Sequence, residues 1–401
     1  MHSFSCENNE IRHLLGKLYG AVSSQGGWLN PALVIHESNG ELNVSSTLDA
    51  SSREPLIRIP ESCLPGINDF EFYSEDDSLH FRSIGFGKNE LHDSLLNLMT
   101  DIYNHTRKLR THRHSCPWLV FSGALKVIDK FYEGRAQVPK VKKCRDQIQS
   151  GSFERLLIDS YLGARTIKYK LSDDETAVPR LMPFIGFMNH HRLAAGFQMK
   201  PDETQTGSEL YAVNSKPVTD SAECYVCYSK ANDAFDTYLI YGFSDKTVPF
   251  VRSVPVEIIF PNGEMMIVNS EIVTGYKGNI PAALENLRPF IPRPVVTGAK
   301  VELSSLIIPG EKTPLALRRI LKFFIQSILE NSNRTMLDDY VLYAEAIILD
   351  TNIEYYSELK ELISTIDKPG PDQKNIETAN MLVNEQLTKL HSYKQRLSLA
   401  F

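Results

Sequence analysis

The sequence predicts an α+β protein of small β-sheets, interrupted by one helical segment and followed by a mainly α-helical C-terminal region. Three observations support that class. The first 88 residues hold short β-like runs such as "ALVIHE" and "PLIRIP", broken by Ser, Asn, Gly and Pro. From Asn89 the apolar residues switch to helical spacing, and that texture lasts roughly 70 residues. The last third again carries long helical stripes.

The elements follow in order. In "NELHDSLLNLMTDIYNHTRKL", Leu91, Leu95, Leu98, Met99 and Ile102 recur at helical spacing. "SFERLLIDSYLGAR" puts Phe153, Leu156, Leu157 and Tyr161 on one face, with Ser152 as N-cap. "ELYAV" and "ECYVCY" alternate as strands do. "PVEIIFPNGEMMIV" reads as a hairpin closed by a two-residue type I′ turn at Asn262-Gly263. Thr313-Pro314 reads as a helix cap followed by Pro at the first helical position, with Leu317, Leu321, Phe324 and Ile328 as the stripe behind it. "KPGP" at 368–371 is a break, and the last helix carries Ile376, Ala379, Val383, Leu387, Leu390 and Leu397.

Composition narrows the function classes. With 401 residues the chain has room for two or three domains and a sizeable core. Its 42% hydrophobic and 23% charged residues are ordinary for a globular protein. A net charge of −6 argues against a general nucleic-acid binder. The basic run from Arg107 to His114 reads as a solvated helix end. Six scattered cysteines do not form the framework of a secreted disulfide scaffold. No stretch reaches membrane-spanning length and the N-terminus lacks a signal-peptide core. The expectation is a soluble, cytoplasmic protein with no nucleic-acid or membrane partner.

Several chemistries are weighed and set aside. Cys224 and Cys227 have metal-like spacing, but on an alternating strand positions i and i+3 point to opposite faces, and no second pair completes a tetrahedral set. His112, His114 and Cys116 lack a partner set as well, so no metal site is expected. Gly85-Phe86-Gly87-Lys88 is too short for a phosphate loop and reads as a turn. The commonest hydrolase and kinase motifs are absent. "GFMNHH", residues 186–191, follows an apolar run and is the most conspicuous polar cluster. By residue type alone, Asn189 suits a turn, His190 a hydrogen-bonded half-buried histidine, and Tyr228 and Tyr241 core aromatics.

Four pieces taken together carry a more specific reading: "GARTI" (163–167), "PFIGFMNHH" (183–191), "ECYVCYS" (223–229) and "YLIYGFSD" (238–245). In this order and spacing the chain resembles the SET-domain protein methyltransferases, in the branch of the Rubisco large-subunit lysine methyltransferases and their actin-histidine methylating relatives. "GNIPAALENLRPF" (278–290) resembles that branch's entry into its C-terminal domain. The resemblance implies a SET-like catalytic domain at 1–250 with a helical insert at about 89–160. It also implies a helical substrate-binding domain at 251–401. It implies S-adenosylmethionine as cofactor and the lysine or histidine side chain of a protein or peptide as acceptor.

Residue by residue, the resemblance assigns Asn189 and His190 to cofactor binding and Arg165 to a place beside the cofactor. Tyr228 becomes the catalytic tyrosine and Tyr241 the aromatic wall of the acceptor pocket. The turn Asn39-Gly40-Glu41 stands where the family's Gly-x-Gly approaches the cofactor, and His191 has no family role. The chain departs from the pattern at four places: Leu42 replaces the second glycine, Ala164 a serine, Gly186 an acidic residue, and Ser229 a glycine. These departures leave two alternatives beside the enzyme: a SET-like interaction module without activity, or a SET-like enzyme acting on a small metabolite.

Overall fold

The computed structural model describes residues 3–84, 89–171, 176–201, 207–219, 221–272, 276, 278–298, 300–310, 315–328, 334–366 and 370–399. The Gly85–Lys88 turn, the Thr313-Pro314 cap and Lys368-Pro369 lie outside them. The α+β expectation holds: short strands in several small sheets, helices from 90 to 163, and a helical C-terminal region. By its internal contacts the chain forms two compact units. One holds residues 1–113 and 153–230, the other 114–152 and 231–401.

The first unit carries two main sheets. Strand Leu33–Ser38 pairs in parallel with Ser3–Cys6 and antiparallel with Glu41–Ser46. A second sheet runs in the order Gln198–Pro201, Ser208–Val213, Pro55–Pro60, Trp28–Leu29, all antiparallel. Helix Asn9–Ser23 starts on the Asn8 side chain, which accepts from the Glu10 and Ile11 amides. It turns Ile11, Leu14, Leu15, Leu18 and Val22 inward. Helix Glu90–His105 buries Leu95, Met99 and Ile102 as its spacing predicts, and adds Leu96 and Tyr103. Its Asn104 side chain docks the hairpin Phe70–Glu75/Ser78–Ser83, donating to the Leu79 carbonyl at 2.9 Å and accepting from the Leu79 amide at 2.7 Å. Helix Phe153–Gly163 buries Leu156, Leu157 and Tyr161, whereas Phe153 stays exposed.

The second unit packs helices Leu125–Gly134, Pro139–Gln149 and Ala234–Tyr241 with three C-terminal helices, Ala316–Ile328, Arg334–Ser364 and Gln373–Leu399. Leu317, Leu321 and Phe324 are buried on the first of these, and Ile376, Ala379, Val383 and Leu390 on the last. A four-stranded sheet, ordered Val256–Ile259, Met265–Asn269, Lys300–Ser304, Arg293–Thr297, belongs to the same unit.

The two Asn-Gly pairs behave differently. Between paired Ser38 and Glu41, Asn39 and Gly40 both take positive φ, 52° and 79°, the type I′ pattern of a two-residue hairpin. Asn262-Gly263 does not: only Gly263 is positive, at 86°. The ring of Pro261 fixes its φ near −65°. The Gly263 amide bonds the Phe260 carbonyl at 2.9 Å and the Phe260 amide bonds the Glu264 carbonyl at 2.8 Å. The loop is therefore a three-residue connection with a left-handed glycine, not the type I′ turn expected from the dipeptide.

Candidate functional site

In the first unit the stretch 183–191 begins with backbone strain. The Ile185 amide reaches the Pro183 carbonyl at 2.6 Å around Phe184, whose φ and ψ are 60° and −47°. That is the rare γ-turn geometry, held by a fully buried phenyl ring. A 3-10 turn over Ile185–Phe187 follows and packs on strand Glu41–Ser46. The chain then extends as Asn189–His190, which pairs in parallel with Tyr225–Val226. Of the alternating "ECYVCY", only Tyr225 and Val226 form this ladder, and the Cys224, Tyr225 and Cys227 amides bond the Val44, Ser215 and Ala195 carbonyls.

This pairing fixes Tyr228 at both ends. Its backbone amide donates to His190 Nδ1 at 3.1 Å, and its hydroxyl donates to the Met188 carbonyl at 2.8 Å. The two rings lie 5.0 Å apart, tilted by 39°. Since Nδ1 accepts, a neutral His190 carries its proton on Nε2. Burial pushes the Tyr228 phenol up to about 12, against the pull of the Arg165 guanidinium. The hydroxyl is therefore neutral at physiological pH.

Asn189 is held from the side. Its Nδ2 donates to Glu223 Oε1 at 2.7 Å, while the Tyr225 hydroxyl donates to Glu223 Oε2 at 2.7 Å. Burial and this carboxylate push Tyr225 up to about 12. The His191 ring meets Tyr225 edge to face at 5.7 Å.

Arg165, just beyond helix Phe153–Gly163, donates from Nη1 to the Tyr161 carbonyl at 2.9 Å. Its guanidinium covers the Tyr161 ring at 3.7 Å and lies 5.8 Å from the Tyr103 ring. Among the described residues it has no carboxylate partner. Tyr103 meets Tyr161 edge to face at 5.7 Å and Phe187 at 6.5 Å. Both phenol oxygens are buried without a hydrogen-bond partner, a state that costs about 1–3 kcal/mol for each group left unmade.

The structure thus brings Arg165, His190 and Tyr228 into one electrostatic neighbourhood, with Asn189 beside them. The turn Asn39-Gly40-Glu41 is placed elsewhere on its hairpin. It lies about 17 Å along the strand, at ~3.4 Å per residue, from Ser45, which bridges Glu223. Its bonds are local: the Asn39 amide to Glu7, the Gly40 amide to Glu37, and Glu41 to Lys108. A Cβ on Gly40 would sit 2.8 Å from the Thr106 carbonyl oxygen, so hairpin and helix packing account for this glycine. Leu42 is 3% exposed in the strand that follows. Tyr241 belongs to the second unit. It ends helix Ala234–Tyr241, its ring 6.0 Å from Phe243 and 5.9 Å from the Lys140 ammonium.

Sequence reasoning missed Tyr103, Glu223 and Tyr225, and placed Tyr161 only on a core face. Helical spacing identifies buried positions but not which cation they surround. Glu223 is only one position of the predicted strand "ECYVCY" until the parallel pairing brings it to Asn189.

No protein-family model matches the sequence, and no curated protein matches it. Solved structures similar to the chain include three at 10% identity. The SET domain of LSMT bound to lysine and AdoHcy has a TM-score of 0.39 over 97% of this chain and 92% of that one. The same domain bound to MeLysine and AdoHcy has a TM-score of 0.43 over 96% and 91%. Rubisco LSMT bound to AdoMet has a TM-score of 0.40 over 96% and 92%.

Proposed function

We propose that the protein is an S-adenosylmethionine-dependent N-methyltransferase acting on the lysine, or histidine, side chain of a protein or peptide. In this reading residues 1–250 form the catalytic region, with the helical insert at about 89–160, and 251–401 serve the substrate. The observation that carries it is Tyr228, pinned to Met188 and His190, with its neutral hydroxyl under the charge of Arg165.

The residues present fit the cofactor. Arg165 is a half-buried cation without a carboxylate among the described residues, which suits the cofactor's carboxylate. Asn189 and His190 remain assigned to the cofactor, and Tyr241 to the acceptor. When bound, the cofactor supplies an electrophilic methyl group. The chain's own task is alignment and exclusion of water. A lysine amine, with an ordinary pKa of about 10.4, reacts only as the neutral base, and a desolvated aromatic site favours that form. The Tyr228 oxygen can accept an N–H of that amine and so aim its lone pair. No strong general base is needed for such a displacement.

Calorimetry with S-adenosylhomocysteine tests the reading, and an absence of heat at high ligand concentration removes it. Where binding occurs, Tyr228→Phe should lower turnover far more than cofactor affinity; an equal loss of both would assign the role to another tyrosine. Leu42, buried where the family pattern has glycine, favours the second reading, a SET-like interaction module that has lost the cofactor. The same titration separates the two.

A further inference from the structure

Asn189 is exposed on the first unit, yet its carboxamide is tied in one orientation by Glu223. The two carboxylate oxygens of Glu223 take two neutral donors, Asn189 Nδ2 on Oε1 and the Tyr225 hydroxyl on Oε2, each at 2.7 Å. Strand geometry brings the three together. Glu223 and Tyr225 stand two positions apart, and Tyr225 is the ladder partner of Asn189, so their side chains share one face. His190, paired with Val226, takes the other face. Glu223 is itself fixed through its backbone, which bridges Ser45 and donates an amide bond to Ser221 Oγ at 3.1 Å. Among the described residues no ion pair reaches Glu223, so these two donors answer its charge. A carboxylate only accepts, so the end of the Asn189 carboxamide that faces it is the NH2. The Oδ1 end is left to meet a donor from outside, since no protein donor reaches it among the described residues. Burial and the same carboxylate push Tyr225 up to about 12, which keeps its proton on the hydroxyl and in this bond.

We propose that Glu223 is a positioning residue: it fixes the Asn189 carboxamide with the oxygen outward, so that Asn189 accepts from an N–H or O–H of the ligand. Tyr225 is the second lock, because it occupies the carboxylate oxygen that Asn189 does not use. A neutral amide at 223 would both donate and accept, and would let the Asn189 carboxamide turn over and present its NH2 instead. The ligand's identity rests on the methyltransferase reading, under which it is the cofactor, whose amino and hydroxyl groups are such donors. In this role Glu223 acts only through Asn189.

A double-mutant cycle tests the role, with S-adenosylhomocysteine affinity read by calorimetry. Glu223→Gln keeps the shape of the side chain and removes its charge. In the wild-type background it should lose about five-fold in affinity, the worth of one hydrogen bond. In the Asn189→Ala background it should change affinity by less than about two-fold, because the group it positions is gone. A purely structural role would give equal losses in both backgrounds. That result, or no loss in the wild-type background, overturns the positioning role and leaves the methyltransferase reading standing. The orientation is also read without ligand, by 15N-1H NMR of the Asn189 side-chain amide, assigned by its absence in Asn189→Ala. One amide proton should lie downfield of those of exposed asparagines and move in Glu223→Gln. Ordinary positions for both protons in wild type overturn the proposal. This measurement decides it even where wild type binds no S-adenosylhomocysteine and the methyltransferase reading falls.

Discussion

Arg135 Nε donates to Asp236 Oδ1 at 2.6 Å with both side chains excluded from water. The pair joins residues about a hundred positions apart within the second unit. Arg252 closes on the same carboxylate through Nε at 2.7 Å and through Nη2. Asp233 caps helix Ala234–Tyr241, accepts from Arg135 Nη2 at 3.0 Å and from the Arg252 amide at 2.8 Å, and completes a capping box with Asp236. Two buried cations thus face two buried carboxylates. Removing one member strands the others in a medium that punishes unpaired charge.

Asp236→Asn should therefore cost about 3–5 kcal/mol of stability at neutral pH, measured by chemical denaturation. The two guanidiniums hold the Asp236 carboxyl well below the usual range. A lowered folded-state value gives a contribution present above the unfolded value of about 3.9 and lost as pH falls below it. The gap between wild type and variant should accordingly narrow in acid, and a constant gap from pH 7 to pH 3 would contradict the ion-pair account.

His190 supports Tyr228 by accepting its amide proton. His190→Ala removes that acceptor and one side of the ring contact. A loss of about 1 kcal/mol in stability is expected, together with weaker S-adenosylhomocysteine binding. Unchanged affinity in a folded His190→Ala protein would separate His190 from the ligand site.

At Gly40 the backbone is left-handed, and the Thr106 carbonyl stands where a side chain would begin. Gly40→Ala should destabilise by more than the ~1–2 kcal/mol of the left-handed conformation alone, read as a lowered Tm. A neutral substitution would mean that the hairpin tip does not rest on Thr106.

Tyr228 should be absent from the tyrosines that ionise near pH 10. Its folded-state value is raised to about 12, so its contribution to stability is complete below pH ~10 and is lost as pH rises towards 12. A difference absorbance titration of wild type against Tyr228→Phe should show the missing phenol ionising late. Ionisation near pH 10 would place the hydroxyl in water.

Much of the local structure was legible in the sequence because it depends on near neighbours. Spacing of 3.6 residues identified Leu95, Met99 and Ile102 as core, and the same rule found Leu156, Leu157, Tyr161, Ile376, Ala379, Val383 and Leu390. It also left Leu91, Leu98, Leu387 and Leu397 only half-buried, since a stripe says where a helix faces and not how far its neighbour extends. The Asn-Gly pairs mark the limit of local reading. Asn39-Gly40 adopts the type I′ pattern, while one preceding proline denies it to Asn262-Gly263.

The sequence by itself determined most element types and the α+β class, and it singled out residues 165, 189–190 and 228 as candidates. Only the tertiary structure decided what each touches. The parallel pairing of Asn189–His190 with Tyr225–Val226 places Tyr228 on His190 and Glu223 on Asn189. The edge-to-face contact of Tyr103 with Tyr161 gathers two phenols from separate helices beside Arg165. Hydrogen bonds and ion pairs act over a few ångströms of space, and residues 165 and 228 are neighbours there only after the chain has folded.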